Sequence, residues 1–142
     1  MALLTDADRT QLEGTFRLLK TPVRLAFFTQ ALDCETCEVA KQILEEVQAL
    51  SDLITLEEHS FLLEKDAAAG YGIDRVPAIA VLGEHDYGIR FYGAPHGYEF
   101  ASLLEAILLI GGAEEIGLSD QSRALLNDVK EPVAIQVFVT PT

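Results

Sequence analysis

The stretch PVRLAFFTQALDCETCEVAKQILEEVQAL (Pro22 to Leu50) decides the fold of this chain. Its first eight residues, Pro22 to Thr29, form a largely apolar and β-rich run, which predicts a central strand buried on both faces. After a short loop come Cys34 and Cys37, the two cysteines of the chain, where an amphipathic helix begins. The apolar stripe of that helix is predicted at Val39, Ile43, Val47 and Leu50.

The cysteine pair is open to three interpretations, of which the first is redox chemistry. Two thiols separated by two residues at a helix start can close a small disulfide ring. The positive end of the helix and its free N–H groups stabilise a thiolate at the first position. Cys34 is then the attacking group, and Cys37, one turn further and more buried, resolves the mixed disulfide. The setting after a buried strand, inside a βαβ pattern, favours this interpretation.

The other two interpretations are a metal site and a structural cross-link. A structural zinc site needs four ligands, and a catalytic site needs three and a water. None of the three histidines, His59, His85 and His96, has a second ligand at metal spacing. A disulfide of this spacing constrains little of the unfolded chain, and structural disulfides are unusual in the cytosol. The residues therefore favour a redox pair without excluding the alternatives.

Three carboxylates surround the pair, at Asp33, Glu35 and Glu38. Their charge opposes the helix dipole and should raise the pKa of Cys34, although exposure to solvent would weaken the effect. We expect a Cys34 pKa between those of a strongly activated thiolate and a free cysteine, and a correspondingly reducing pair.

The rest of the chain alternates further helical and extended patterns. Helices are predicted at 6–19, 63–72, 97–112 and 118–129, and strands at 52–59, 76–83, 87–93 and 131–142. The second and third of these strands are separated by a hairpin-like break. This order predicts a mixed sheet covered on both faces by helices.

Composition limits the possible partners and compartments. A chain of 142 residues with 49% hydrophobic residues suits one soluble domain. The net charge of −13 argues against nucleic acid and anionic membranes as partners. The first residues are acidic where a signal peptide would be basic, and the longest apolar run, Leu103 to Ile110, is too short for a membrane span. These features predict a cytoplasmic protein.

A second motif carries a family resemblance. YGIDRVPAIAV (Tyr71 to Val81) resembles the segment of thioredoxin-fold proteins in which a cis-proline opens a strand facing the active site. The resemblance implies a cis bond before Pro77. It also implies that the backbone of Val76 is free to pair with a bound substrate chain.

The resemblance extends over nearly the whole chain. PVRLAFFTQALDCETC, YGIDRVPA, YGIRFYGAPHGYEFASLLEAI and VAIQVFVTPT are similar to the amino-terminal half of the protein disulfide oxidoreductases, or glutaredoxin-like proteins, of heat-loving archaea and bacteria. Those proteins join two thioredoxin-fold modules, each with its own Cys-x-x-Cys. The resemblance implies a thioredoxin-like three-layer α/β/α sandwich with a central mixed sheet and an extra N-terminal helix.

The same resemblance implies a domain organisation. Residues 1–115 would form a thioredoxin/glutaredoxin-like module, and residues 116–142 a linker helix and the first strand of a second module. The sequence would end one residue before the second cysteine pair. Gly93 corresponds to a glycine that lets substrate approach.

The chain also departs from plain thioredoxins. Those have Trp-Cys-Gly-Pro-Cys and a buried acid in the preceding strand. Here Leu32 and Asp33 precede the pair, no Trp is present, and the strand position is Phe28. The proton acceptor is therefore unidentified, and Glu58 at a strand end is the candidate.

These observations predict a thiol–disulfide oxidoreductase. Its substrates would be protein disulfides, a thioredoxin-reductase-like donor would reset it, and the Cys34–Cys37 disulfide would be its redox group without a further cofactor. One alternative is an electron-relay domain like the amino-terminal domain of alkyl hydroperoxide reductase flavoproteins. Another is an interaction module that uses the fold without turnover. Because the apolar terminal segment Pro132 to Val139 requires burial, it motivates a homodimer hypothesis.

Overall fold

The computed structural model of the chain describes residues 2–140. Its elements follow the predicted order up to the last helix, with ends displaced by a few residues. They are α1 (Asp6–Phe16), β1 (Val23–Thr29), α2 (Cys37–Gln48), β2 (Ile54–Ser60), α3 (Lys65–Gly70), β3 (Ala78–Leu82), β4 (Ile89–Tyr92), α4 (Tyr98–Ile110) and α5 (Asp120–Asn127). No helix within these residues is long and apolar enough to cross a membrane.

The four strands form one mixed sheet in the order β2-β1-β3-β4. The central strand β1 runs parallel to β2 and antiparallel to β3, and β3 pairs antiparallel with β4. Five residues of β1 are fully buried, which explains its almost continuous apolar sequence. The predicted mixed sheet is confirmed.

Helices cover both faces of this sheet. On one face, Leu25 and Phe27 of β1 pack in a cluster with residues of α1, α2 and α4. On the other face, Ala26 and Phe28 pack in a smaller cluster that includes Ala68 of α3. Because successive strand residues point to opposite faces, β1 contributes alternately to the two layers. The predicted three-layer α/β/α arrangement is confirmed.

The buried stripe of α2 differs from the predicted one at Val39. Val39 is 41% exposed, whereas Cys37, Ala40 and Leu44 are buried. Because residues three and four apart share a helix face, Cys37, Ala40 and Leu44 set the orientation of α2, and Val39 is turned away from the sheet.

The predicted terminal strand is not formed in the described residues. Residues 131–140 carry no strand assignment and are exposed throughout; the last two residues of the prediction, 141–142, lie outside the described part of the chain. An extended segment becomes a strand when a neighbouring strand takes up its N–H and C=O groups. The apolar pattern of the segment shows its tendency to pair but supplies no pairing partner.

Candidate redox site

The two cysteines form a disulfide at the junction of the β1–α2 loop and α2. The Cα atoms of Cys34 and Cys37 are 5.5 Å apart, a distance common for disulfides. Cys34 is half-buried, and Cys37, the first residue of α2, is 4% exposed. The first cysteine is therefore the more exposed of the two, as predicted.

The loop before the disulfide is held by its own side chains and backbone. The Gln30 side chain donates hydrogen bonds to the carbonyl oxygens of Leu32 and Asp33, at 2.7 and 3.4 Å. Asp33 has a φ of 55°, in the left-handed region that a short polar residue tolerates. This turn brings Cys34 from the end of β1 to the start of α2.

The carboxylates around the disulfide lie in solvent. Asp33, Glu35 and Glu38 are exposed, and none forms an ion pair with another described residue. Their negative charge is therefore presented to whatever approaches Cys34, although solvent and salt screen it.

A second backbone segment carries the predicted proline. The Val76–Pro77 peptide bond is cis. Ala78, the next residue, pairs in the sheet with Phe28 of β1. Within residues 2–140, neither the N–H nor the C=O of Val76 has a backbone hydrogen-bond partner.

Gly93 adjoins the same segment. Its N–H donates a hydrogen bond to the carbonyl oxygen of Pro77 at 2.9 Å. Its φ is 87°, and a Cβ atom built there would have no atom within 4 Å. The left-handed backbone, and not lack of space, is therefore what requires glycine here. The space over Gly93 is therefore open.

Two side chains beside these backbone segments were missed by the sequence reasoning. The Arg75 guanidinium lies 4.8 Å from the centroid of the Tyr92 ring and is 2.9 Å from the Asp74 carboxylate. Arg75 precedes Val76, and Tyr92 precedes Gly93. Their positions next to Val76 and Gly93 could have pointed to these two residues. Their separation in the sequence, however, does not reveal that the two side chains are in contact.

Glu58 faces the helix that carries Cys37. Its carboxylate accepts from Lys41 Nζ of α2 at 3.0 Å, and this hydrogen bond raises the pKa of Lys41. Lys41 follows Cys37 by four residues, so both lie on the same face of α2. Phe28, by contrast, packs on the opposite face of the sheet and stacks on the His59 ring at 4.8 Å between centroids.

The described residues contain no group of three or more His, Cys, Asp or Glu side chains placed to hold a metal ion. His59 instead lies 2.9 Å from Glu64 through Nδ1, and this hydrogen bond lowers the pKa of Glu64. The ring of His85 lies against that of Tyr87.

Known proteins are similar to this chain in sequence, although no family model matches it. It is 34% identical over 86 residues to a probable thioredoxin of Methanothermobacter marburgensis, covering 60% of this chain and 92% of that protein. It is 30% identical over 123 residues to one of the subunits of the alkyl hydroperoxide reductase of Escherichia coli, covering 86% of this chain and 20% of that protein.

Among solved structures, a protein disulfide oxidoreductase from Aeropyrum pernix K1 superimposes with a TM-score of 0.79 at 26% identity. The match covers 89% of this chain and 55% of that one. The chain therefore spans about half the length of that oxidoreductase and a fifth of the Escherichia coli reductase protein.

Proposed function

This chain belongs to the thioredoxin family, and on that premise we propose that it is a thiol–disulfide oxidoreductase acting on protein disulfides. The observation that carries the proposal is the disulfide between a half-buried Cys34 and a buried Cys37, at the start of α2. The accessible sulfur can meet a substrate disulfide, and the buried one can meet only its neighbour.

The exchange proceeds in two displacements. In the reduced protein, the Cys34 thiolate attacks one sulfur of the substrate disulfide, and the other substrate sulfur leaves as a thiolate with the electron pair of the broken bond. Cys37 then loses its proton and attacks the Cys34 sulfur, which expels the second substrate thiolate. The substrate gains two electrons, and Cys34 and Cys37 become the disulfide.

Substrate binding would use the backbone around the cis peptide bond before Pro77. The N–H and C=O groups of Val76 lack backbone partners among the described residues, and the space over Gly93 is open. An extended substrate chain can therefore hydrogen-bond to Val76, with Pro77 and Gly93 beneath it, as an added strand. This mode recognises the backbone, so it accepts many protein sequences.

Within the family, we place the chain with the glutaredoxin-like protein disulfide oxidoreductases. Its Cys-Glu-Thr-Cys motif and its similarity to the Aeropyrum pernix protein support this assignment. A thioredoxin-reductase-like donor in a reducing, cytoplasmic compartment would regenerate the dithiol. Regeneration by NADPH with thioredoxin reductase, and not by glutathione with glutathione reductase, would support this donor.

The second candidate is an electron-relay domain with one dedicated partner enzyme. The similarity to the alkyl hydroperoxide reductase protein, which covers 86% of this chain, favours it. The two candidates differ in breadth. A general oxidoreductase reduces insulin disulfides at a catalytic rate, whereas a dedicated relay passes electrons to its partner and reduces insulin poorly.

Trapping of the mixed disulfide tests the proposal. In Cys37→Ser, Cys34 can attack but the product cannot be released, so we expect a covalent adduct with an insulin chain on non-reducing gels and by mass spectrometry. Cys34→Ser should form no adduct and lose insulin reduction. Insulin reduction that persists in Cys34→Ser would contradict the assigned nucleophile. Unchanged partner binding by Cys34→Ser, with no turnover by the parent, would favour the interaction module.

A further inference from the structure

Gln30 is the first residue after β1, and its side-chain amide reaches the turn that leads into Cys34. The amide nitrogen Nε2 carries two hydrogens. It donates to the carbonyl oxygen of Leu32 at 2.7 Å and to that of Asp33 at 3.4 Å. One amide group therefore joins the end of the strand to the two residues that precede the disulfide.

Few other contacts hold this turn in place. The side chains of Ala31, Leu32 and Asp33 are exposed, so the turn has no apolar anchor. Among the described residues, the backbone groups of residues 31–35 make no hydrogen bond to other backbone groups. The left-handed φ of Asp33, 55°, costs free energy for a residue that carries a Cβ atom. The two hydrogen bonds from Gln30 are the contacts that offset this cost.

The conformation of the turn determines how the chain enters Cys34. The Asp33 carbonyl group belongs to the planar peptide unit that also contains the Cys34 nitrogen, so fixing the one orients the other. In the disulfide, the Cα atoms of Cys34 and Cys37 are 5.5 Å apart, and Cys37 is held in α2. Of the two cysteines, Cys34 is therefore the one whose position depends on the turn.

We propose that Gln30 is a positioning residue that favours the disulfide form of the Cys34–Cys37 pair. Once the disulfide is reduced, no S–S bond ties Cys34 to α2, and the two thiols can close again only when the turn brings them together. Hydrogen bonds that keep the turn in its disulfide conformation raise the equilibrium constant for closure. This inference rests on the proposed function, and it places one determinant of the reduction potential outside the Cys-x-x-Cys motif.

Equilibration with dithiothreitol measures this constant. One dithiothreitol molecule gives two electrons and two protons to the Cys34–Cys37 disulfide and becomes a cyclic disulfide, so the oxidised fraction of the protein at known reagent ratios gives the equilibrium constant. Gln30→Met keeps the length of the side chain but has no N–H donor. We expect closure to be about tenfold less favourable in this variant, the loss of roughly one well-made hydrogen bond. Such a loss raises the reduction potential by about 30 mV.

Two further variants separate the donor from packing and from general stability. Gln30→Leu also lacks the donor but differs from methionine in shape, so it should show a similar loss. Gln11→Met makes the same substitution at an exposed position of α1 and should keep the parent constant. A substitution that destabilises both redox forms alike leaves the constant unchanged, and circular dichroism verifies that each variant is folded.

The outcomes separate this inference from the proposed function. The parent constant in both Gln30 variants, a shift in only one of them, or an equal shift in Gln11→Met would overturn the inference, while insulin reduction by the parent would still support the oxidoreductase. A parent with no reversible dithiol–disulfide transition would overturn both. A parent that shows the transition and the Gln30 effect but does not reduce insulin would contradict the proposed function alone.

Discussion

Among single residues, Glu46 has the clearest energetic role. Burial raises its pKa, but the hydrogen bonds from Leu3 and Leu4 and the charge of Arg9 together hold that pKa below its ordinary value. A depressed pKa in the folded state means that the ionised carboxylate stabilises the fold. The contribution is fully present above the pKa of the unfolded chain, about 4.3, and is lost as pH falls through the folded value.

We therefore expect Glu46→Gln to lower the free energy of unfolding by about 1–3 kcal/mol at pH 7. The difference from the parent should be smaller at pH 3 than at pH 7, because pH 3 lies below the pKa of the unfolded chain and the contribution of the carboxylate falls as pH drops toward its lowered pKa in the folded protein. Urea unfolding at the two pH values measures this. Glu84→Gln is the control, because Glu84 is exposed in the β3–β4 turn; its effect should stay within about 0.5 kcal/mol. A difference for Glu46→Gln that is equal at both pH values would contradict the argument.

Glu58 yields a kinetic prediction. Its partner Lys41 shares a helix face with Cys37, so Glu58 is the carboxylate we expect to take up the Cys37 proton during resolution. Glu58→Gln should prolong the mixed disulfide by about 100-fold at pH 7, the lower end of what a positioned base contributes, and the loss should diminish at alkaline pH where hydroxide deprotonates the thiol. Rapid-quench measurement of the adduct follows this step.

Glu57→Gln is the matched control for that experiment. Glu57 is the preceding residue of β2, points to the other face of the sheet, and pairs with Arg24 at 3.3 Å. Its substitution should leave the lifetime of the adduct at the parent value. Equal lifetimes in the Glu58 and Glu57 variants would remove Glu58 from the mechanism.

At the scale of elements, replacing either of two helix glycines with alanine should change the stability of the protein in opposite directions. Gly14 lies inside α1, and a Cβ atom there would have no atom within 4 Å. Gly111 ends α4, and its Cβ would overlap the Leu19 side chain and lie 3.1 Å from the Ile107 carbonyl oxygen. Gly14→Ala should stabilise the protein by about 0.5–1 kcal/mol, because alanine restricts the unfolded chain and favours the helix. Gly111→Ala should destabilise it by about 1–3 kcal/mol through overpacking.

Thermal or urea unfolding of both variants gives the signs directly. The two substitutions add the same methyl group, so a difference in sign isolates the surroundings of each glycine. Stabilisation by Gly111→Ala would contradict the overpacking argument, because it would mean that Leu19 and the end of α4 move aside without loss of packing.

The same scale shows what the sequence could predict. The order of elements was predictable, because buried strands such as β1 and amphipathic helices such as α2 have local patterns. The disulfide and the Pro77 segment were found because each is a motif of adjacent residues. The Glu46 contacts with Leu3 and Leu4 join positions 43 and 42 residues apart, and no local pattern records such a pairing. The terminal strand failed for the related reason that a strand needs a partner from elsewhere.

At the scale of the whole molecule, the chain divides into a packed part and an exposed part. Apart from Ser122, residues 114–140 are exposed, and α5 has no buried residue. Segments with few buried contacts unfold locally at little free-energy cost.

We therefore expect trypsin to cleave first after Arg123 and Lys130, and we expect the remaining fragment to keep its insulin reductase activity. Mass spectrometry of a digestion time course tests the proposed boundary at 115, and initial cleavage at Arg24, Lys41 or Arg90 would contradict it.

The exposed part is also where we expect the molecule to associate. Four apolar residues alternate along this segment: Val133, Ile135, Val137 and Val139, which are 69%, 83%, 79% and 59% exposed. Because side chains two residues apart lie on the same side of an extended chain, an extended conformation presents these four as one unpaired apolar edge. The net charge of −13 opposes association, and salt screens that repulsion.

We therefore expect the mean mass from light scattering to rise with protein concentration, and to rise more steeply in 0.5 M than in 0.05 M salt. Between these two salt concentrations the Debye length falls from about 14 to about 4 Å. Ile135→Lys should weaken the rise, and a chain ending at residue 115 should stay monomeric. A full-length protein that is monomeric under all these conditions would show that the exposed edge is not a dimerisation surface.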